Sequence, residues 1–340
     1  MPETINAQQR AQYFAMSTRQ NMQMLAKETI TNFPNSAMFT LPKARLLSGL
    51  YLKIKVHFSE LPVEVLSKQE QLFKLVRRIS LDLNNGFQPY VISGEGCRLY
   101  NLIDLNTRNV LDYWAVDRVS NDKVGNVIEY NFYLSCTTNP RDPVGLILLQ
   151  NDQTNVTLNI DMGLSSETGV DGLVEPTKAE ISCMAETFSI PANANAFPDL
   201  SVLKMVHGRK DSLPTEGQQV IKLATGTIYR KLIFKLTDEN GAPMTPDMVT
   251  STIDLVFNQA DVNYSISADM LRTLNAKQFG CYLPDGVYVF DFSNSGGLPN
   301  LGGTRDFIDS ANLTEFWLRF TTNAKGKCEI VSETLARLNG

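Results

Sequence analysis

The feature that most constrains this chain is an internal repeat that links its two halves. Residues 79–101 align without gaps with residues 253–275, an offset of 174 positions in a chain of 340 residues. Eight of the 23 aligned residues are identical, where background composition gives roughly one or two. The identical pairs are Ile79/Ile253, Leu81/Leu255, Asn84/Asn258, Tyr90/Tyr264, Ile92/Ile266, Ser93/Ser267, Arg98/Arg272 and Asn101/Asn275. An offset of half the chain indicates a tandem duplication of one domain and not a short-repeat solenoid.

Alternation of apolar and polar residues predicts that each copy is built from β-strands. In Leu50–Phe58 every second side chain is apolar, which places one set on a buried face. Further strands are predicted at Ile79–Leu83, Val127–Leu134, Val156–Met162, Ile181–Ile190, Ile228–Leu236, Thr252–Phe257, Val287–Phe292 and Glu315–Phe320. Turn clusters such as Asn84-Asn85-Gly86 separate them. Many short strands without interleaved helices are typical of β-sandwiches.

One long helix is predicted, over residues 5–28. This segment has no glycine or internal proline, and its apolar residues recur at three- and four-residue steps along one face. Because a short amphipathic helix is marginal in water, we expect its stripe to bind a partner, either a membrane or a neighbouring subunit. The residues expected to do so are Phe14, Met22 and Leu25. A plain core helix of the first domain is the alternative.

The repeat and the helix together predict the domain organisation. We expect an N-terminal helix and linker over residues 1–36, a first sandwich over 37–188, a second over 189–335 and a short tail over 336–340. A chain of this length buries enough surface to need no disulfides or structural metals.

Charge and composition exclude several classes of protein. The formal net charge is −5 and no basic tract occurs, which argues against direct binding of nucleic acid. The N-terminus lacks a secretion signal, and the longest apolar stretch, near Val144–Leu149, is far too short to span a membrane. We therefore expect a cytoplasmic protein. Its five cysteines include no CxxC pair and are expected to be reduced.

No residues nominate a catalytic, cofactor or metal site. The two histidines, His57 and His207, have no neighbouring ligands in sequence. Phosphate-binding glycine motifs and the Gly-x-Ser-x-Gly nucleophile motif are missing. The densest carboxylate group consists of Asp285, Asp291, Asp306 and Asp309, and we expect these to serve turns and solvated faces. A carboxylate pair for glycan cleavage, or a sugar-binding loop at Leu298–Asp309, is the alternative.

Three segments resemble the double jelly-roll major capsid proteins of tectiviruses and their relatives, tailless bacteriophages with an internal membrane. Residues 7–24 resemble the leading helix of that family. Leu75–Gly86 resembles the start of its first sandwich, where a strand runs into a polar turn. Leu283–Tyr288 contains a Pro-x-Gly-Val-Tyr sequence like that late in its second sandwich.

The resemblance implies an all-β fold of two tandem eight-stranded jelly-roll sandwiches with an N-terminal α-helix. It implies a major capsid protein without catalytic residues, assembled in the host cytoplasm into homotrimers that tile an icosahedral virion shell. The expected partners are other copies of the chain, penton and minor capsid proteins, and the underlying viral membrane. The alternatives are a minor vertex or spike protein of the virion, or a paired jelly-roll protein that binds or cleaves carbohydrate.

Overall fold

The computed structural model describes residues 7–61, 68–84, 86–104, 126–138, 143–150, 155–259, 261–294 and 307–337. The chain divides into two compact units. Unit 1 contains Met1–Arg98, Asp112–Met205 and Ala336–Gly340, and unit 2 contains Leu99–Leu111 and Val206–Leu335. The limits 37–188 and 189–335 remain our proposal for the duplicated domains, and residues 338–340 of the expected tail lie outside the described residues.

Unit 1 is built from antiparallel strands in two sheets. Its strands are β1 (Gln20–Met24), β2 (Glu28–Ile30), β3 (Asn35–Thr40), β4 (Leu46–His57), β5 (Val76–Leu83), β6 (Phe87–Ile92), β7 (Val127–Ser135), β8 (Ile147–Leu148), β9 (Val156–Met162) and β10 (Lys178–Phe188). One sheet has the order β1-β10-β4-β7, with β2 also on β10 and β8 on β4, and the other contains β6-β5-β9-β3. Its helices are α1 (Ala7–Ser17), α2 (Gln69–Leu72) and α3 (Gly94–Asp104), which belongs to unit 2 from Leu99 onward.

Unit 2 has the same construction. Its strands are β11 (Val202–Leu213, within unit 2 from Val206), β12 (Gly217–Lys222), β13 (Ile228–Asp238), β14 (Thr252–Phe257), β15 (Asp261–Ser267), β16 (Val287–Asp291), β17 (Ile308–Asp309), β18 (Phe316–Thr322) and β19 (Gly326–Arg337), and helix α4 covers Ala268–Phe279. One sheet contains β16-β13-β19-β11, with β17 on β13, and the other has the order β12-β18-β14-β15.

The two units share one topology. The order β7-β4-β10-β1 in unit 1 corresponds to β16-β13-β19-β11 in unit 2, and β6-β5-β9-β3 corresponds to β15-β14-β18-β12. Each unit therefore has eight principal strands within the described ranges. The registers agree as well, since Ile79 pairs with Ile92 and Ile253 with Ile266. Residues that are identical in the sequence repeat therefore pair in the same way in the two units.

Burial alternates along the strands as the sequence pattern predicts. On β7 the inward side chains of Ile128, Tyr130, Phe132 and Leu134 are fully buried, and those of Glu129, Asn131 and Tyr133 point to the other face. In unit 2 the core contains stacked rings, with Phe234 and Tyr288 5.5 Å apart. Such rings each remove large apolar area from water, which stabilises the sandwich.

The predicted helix over residues 5–28 is wrong beyond Ser17, where α1 ends. The hydroxyl groups of Ser17 and Thr18 donate to the carbonyl groups of Tyr13 and Phe14, each at 2.7 Å, and so compete with continuation of the helix. The chain then pairs along β10 as β1. Pairing covers a row of backbone groups on β10, and this outweighs the modest helix propensity of residues 20–24.

Helix α1, with 11 residues, is as long as α3 and shorter than α4, which has 12. Because α3 and α4 both lie between strands, the prediction of strands without interleaved helices is also wrong. None of the described helices is both long enough and apolar enough to cross a membrane.

Candidate interaction faces

The sheet β1-β10-β4-β7 of unit 1 carries a row of apolar and aromatic side chains on its outer face. Strand register places Met24 opposite Met184, Met184 opposite Tyr51, and Tyr51 opposite Tyr133. Side chains directly opposite each other in antiparallel strands lie about 4.5–5.5 Å apart at Cβ, so the four form one continuous surface. We call it the Met-Tyr row. Met24 and Tyr51 are exposed, and the other two are half-buried.

The two tyrosines of the row are held in place by their neighbours. Their rings stack with centroids 4.3 Å apart. A Cβ at Gly49 would lie 2.7 Å from the Tyr133 ring, so a larger residue there would displace the ring from this position. The Tyr133 hydroxyl donates to Glu186 Oε2 at 3.2 Å. Burial, with the nearby Glu186 charge, raises the pKa of both tyrosines, so they stay neutral.

Ion pairs border the row along the same sheet. Glu180 accepts hydrogen bonds from Lys178 at 2.7 Å and Lys27 at 2.6 Å, which lower the pKa of this carboxyl to about 2. Glu129 lies next to Lys53 and Lys55. An apolar centre with a charged, solvated rim is the usual arrangement of a protein-binding surface.

The three residues predicted to bind a partner are not on one helix face. Met22 is 56% exposed on β1, opposite Glu186 and beside the Met-Tyr row. Leu25 is half-buried, and its backbone N–H donates to the Cys183 carbonyl at 2.8 Å. Phe14 is only 6% exposed and packs edge-on against Phe188 at 5.5 Å. The chain itself therefore covers Phe14, while Met22 remains open to a partner.

A buried ion cluster lies in unit 2, where the end of α3 meets β13 and β19. Lys231 Nζ lies 2.6 Å from Asp104 Oδ1 and 3.1 Å from Glu333 Oε2. The Tyr100 hydroxyl donates to Glu333 at 2.6 Å, and Arg230 Nε donates to its other oxygen at 2.8 Å. Buried charges need such partners because an unpaired one is very costly. The cluster therefore fastens residues 100–104 to the sheet.

The charges of this cluster follow from their surroundings. Burial by itself lowers the pKa of Lys231, but the carboxylates of Asp104 and Glu333 outweigh it, so the pKa is raised and the ammonium stays charged. Asp291 lies opposite Lys231 in the β13–β16 register. Burial raises its pKa, although Lys231 and the hydroxyl of Ser293, which donates at 2.6 Å, act in the opposite direction.

The residues weighed for chemistry have structural roles where the structure describes them. Asp285 pairs with Arg272 at 2.6 Å, and Asp309 accepts from the Ala311 backbone at 2.9 Å. Asp306 and most of the loop Leu298–Asp309 lie outside the described residues. Among the residues that are described, no three His, Cys, Asp or Glu side chains are grouped to hold a metal ion.

The histidines and cysteines are likewise placed within the sandwiches. His57 Nε2 lies 3.7 Å from Glu180 Oε1, and His207 lies on β11. The five cysteines are free, and four of them are buried. Burial raises the pKa of the Cys136 and Cys183 thiols to about 12, so they remain protonated at neutral pH.

Comparison with solved structures identifies the architecture. Over 94% of its length the chain is similar to a chain of the PBCV-1 virus capsid, with 12% identity, a TM-score of 0.67 and 93% of that chain covered. It is similar over 94% of its length to the major capsid protein P2 from bacteriophage PM2, at 11% identity, a TM-score of 0.56 and 98% coverage. The fold is a double jelly roll. A structure of Sulfolobus Turreted Icosahedral Virus gives 11% identity and a TM-score of 0.64, with 94% of this chain and 91% of that chain covered.

Sequence comparison adds nothing to this result. No protein-family model matches the double jelly-roll chain, and no curated protein matches it either.

Sequence reasoning missed both the Met-Tyr row and the buried ion cluster. A tyrosine at an outward position of β4, two residues after Gly49, was the available signal for the row. For the cluster, the signal was charge within otherwise apolar strands, namely Lys231 and Lys235 on β13 and Glu329 and Glu333 on β19. In neither case does the local pattern say which strands become neighbours.

Proposed function

We propose that this chain is a major capsid protein, a structural subunit of an icosahedral virion shell. The observation that carries the proposal is the double jelly roll itself, which accounts for 94% of the chain and for nearly all of each compared capsid chain. The compared proteins form virus capsids, and we extend that role to this chain.

The proposed assembly is a homotrimer. Three chains supply six sandwiches of one topology, and six similar units around an axis give a nearly hexagonal outline that can tile a shell. Obligate oligomers commonly bury more than about 2,000 Å² at their interfaces. The exposed Met-Tyr row supports such contacts, since exposed apolar surface beside ion pairs is typical of a protein-binding face.

The finer proposal is a tectivirus-like bacteriophage with an internal membrane. It rests on the likeness of residues 7–24, Leu75–Gly86 and Leu283–Tyr288 to that family. The N-terminal segment, with Met22 and Leu25, is the proposed contact to the membrane or to a neighbouring trimer. Penton and minor capsid proteins are the other proposed partners. The net charge of −5 argues against direct contact with the genome.

The mass of the purified protein in solution tests the proposal. Light scattering is expected to give three times 37.9 kDa. A stable monomer at micromolar concentration would contradict a shell-forming subunit. Copy number in purified virions then separates a major capsid protein from a minor vertex component.

A further inference from the structure

The two copies of the jelly roll differ in how their equivalent outer faces are covered. In unit 2 the outward side chains of β13 and β19, such as Ile233, Val331 and Glu333, are buried. In unit 1 the corresponding face carries the Met-Tyr row, where Met24 and Tyr51 are exposed. One fold thus has a covered outer face in its second copy and an open one in its first.

Residues at the end of α3 lie on the covered face. Tyr100 and Asp104 contact Glu333 and Lys231 directly, at 2.6 Å in both cases. In the sequence repeat, α3 belongs to the first copy, since Asn101 of α3 aligns with Asn275 of α4. The end of α3, which lies in unit 2 from Leu99 onward, therefore packs on the outer sheet of that unit.

The equivalent surface of α4 is exposed. At the repeat offset, Tyr100 corresponds to Leu274, which is 47% exposed, and one turn earlier Met270 is 60% exposed. These two residues are four apart and share one helix face, which we call the α4 face. The opposite side of the helix packs on the sandwich of unit 2. There Asn275 exchanges hydrogen bonds of 2.8 and 3.0 Å with the Val289 backbone. The α4 face is thus not needed for folding of unit 2.

We propose that the α4 face of one chain docks on the Met-Tyr row of a second copy of the same chain. This inference rests on the proposed capsid function and names the surfaces that build the oligomer. The occupant is a second copy because the chain already makes a contact of this kind once, at the end of α3, while the α4 face and the Met-Tyr row both carry exposed side chains. Both faces are apolar, and methionine adapts well to aromatic and aliphatic partners.

The geometry of this contact leads to a closed ring. The surfaces that meet are different, so the interface is heterologous, and such interfaces either close into rings or extend into filaments. In a ring of three chains, the α4 face of each chain contacts the Met-Tyr row of the next, so that each chain makes one contact of either kind.

Charged substitutions on the α4 face test the proposal. The double variant Met270→Asp/Leu274→Asp is expected to remain folded, because both side chains are exposed, and to lose the trimer and run at 37.9 kDa. The matched control is Met38→Asp/Val220→Asp, whose side chains are 61% and 46% exposed on other strands, and it is expected to keep the trimer. Circular dichroism checks folding of each. A folded α4 variant that stays trimeric, or a control that dissociates equally, would overturn the docking.

Mixing two variants tests the heterologous nature of the contact. Met24→Asp/Tyr51→Asp damages the Met-Tyr row and is expected to be monomeric alone. This variant keeps its α4 face, and the α4-face variant keeps its Met-Tyr row. A mixture of the two should therefore form a dimer of twice 37.9 kDa that cannot close into a ring. Absence of this dimer would contradict the proposal.

Disulfide trapping keeps the test decisive if a charged variant fails to fold. Leu274→Cys/Tyr51→Cys should give covalent dimers and trimers on a non-reducing gel, and Leu274→Cys/Met38→Cys should not. The mass of the wild-type protein distinguishes failure of the capsid proposal from failure of the docking proposal. A monomeric wild type refutes the capsid proposal, whereas a wild-type trimer without Leu274–Tyr51 cross-links refutes only the docking.

Discussion

At the scale of single residues, the buried ion cluster of unit 2 shows that neighbouring charges decide whether a buried group keeps its own charge. Burial disfavours the charged form of both Lys231 and Asp291. Lys231 keeps its charge because Asp104 and Glu333 lie within 3.1 Å of its ammonium. Asp291 faces the same lysine, yet burial dominates and raises its pKa. The charged form of Asp291 is therefore less favourable in the folded chain than in the unfolded one.

Replacing Asp291 with asparagine should stabilise the protein at neutral pH. A raised folded pKa means that the contribution of this group is fully present below its unfolded value of about 3.8 and is lost as pH rises through the folded pKa. Asp291→Asn keeps the acceptor for Ser293 and removes the penalised charge. Its free energy of unfolding in urea should exceed that of wild type at pH 7 and match it below pH 3.8.

The exposed Asp261, on β15, provides the control. Asp261→Asn should leave the free energy of unfolding unchanged at both pH values. A loss of stability in Asp291→Asn at pH 7 would mean that attraction to Lys231 outweighs burial.

At the scale of elements, the turn after β5 is repeated after β14. Asn84 and Asn258 both adopt positive φ, at 55° and 48°. The side-chain oxygen of Asn84 accepts from the Asn155 backbone at 2.8 Å, and that of Asn258 from the Thr314 backbone at 2.9 Å. Asparagine fits because it tolerates the left-handed region and supplies the acceptor at the same time.

At both turns, substitution of the asparagine by alanine should lower the free energy of unfolding more than substitution by glycine. Changing either asparagine to alanine removes the acceptor and leaves a Cβ in a left-handed backbone, which should cost about 2 kcal/mol. Changing it to glycine removes only the hydrogen bond, so the loss should be smaller, about 1 kcal/mol. Thermal and urea unfolding of the four single variants measures this. Different orders at Asn84 and Asn258 would contradict a shared turn.

Alternation predicted nine of the described strands but not β3, β6, β11, β12, β15 or β19, and the N-terminal segment was wrongly predicted as helical beyond Ser17. The alternation in Leu50–Phe58 is a local property that survives in any sandwich, because one face must be buried. Residues 20–24 have no such pattern, and their pairing as β1 depends on the presence of β10. Differences in helix propensity are only about 0.5 kcal/mol per residue, so a strand edge decides between the two states.

At the scale of the whole molecule, stability comes from two apolar cores and not from covalent cross-links. The five cysteines are free, and Cys97 and Cys328 are fully buried. Burial raises the pKa of the Cys97 thiol, which makes this side chain a poor nucleophile. Reducing and oxidising conditions should therefore be equivalent for folding and assembly.

We expect the mass of the oligomer to be the same with and without reductant. Cys97→Ser should lower the free energy of unfolding by about 1–2 kcal/mol, since a hydroxyl replaces a thiol in an apolar site. Cys281→Ser, at a half-buried position, should have little effect. Dissociation in reductant, measured by light scattering, would show that a disulfide contributes after all.

Local sequence patterns were enough to predict nine of the strands and the tandem duplication. The alternation in Leu50–Phe58 and the constant offset between residues 79–101 and 253–275 are both carried by residues close together in the chain. The asparagine turns belong to the same class, since their conformational demands are local. A catalytic or metal site built from carboxylates or histidines would also have been predicted from local motifs, and the sequence nominated no such site.

The interaction surfaces, in contrast, depend on contacts between segments that are far apart in the chain. The Met-Tyr row joins residues 24, 51, 133 and 184, which come from four strands. The buried cluster joins Tyr100 and Asp104 to Lys231 and Glu333 across more than a hundred residues. The physical reason is that such contacts are fixed by strand order and by the burial of whole sheet faces. No single segment of the sequence contains that information.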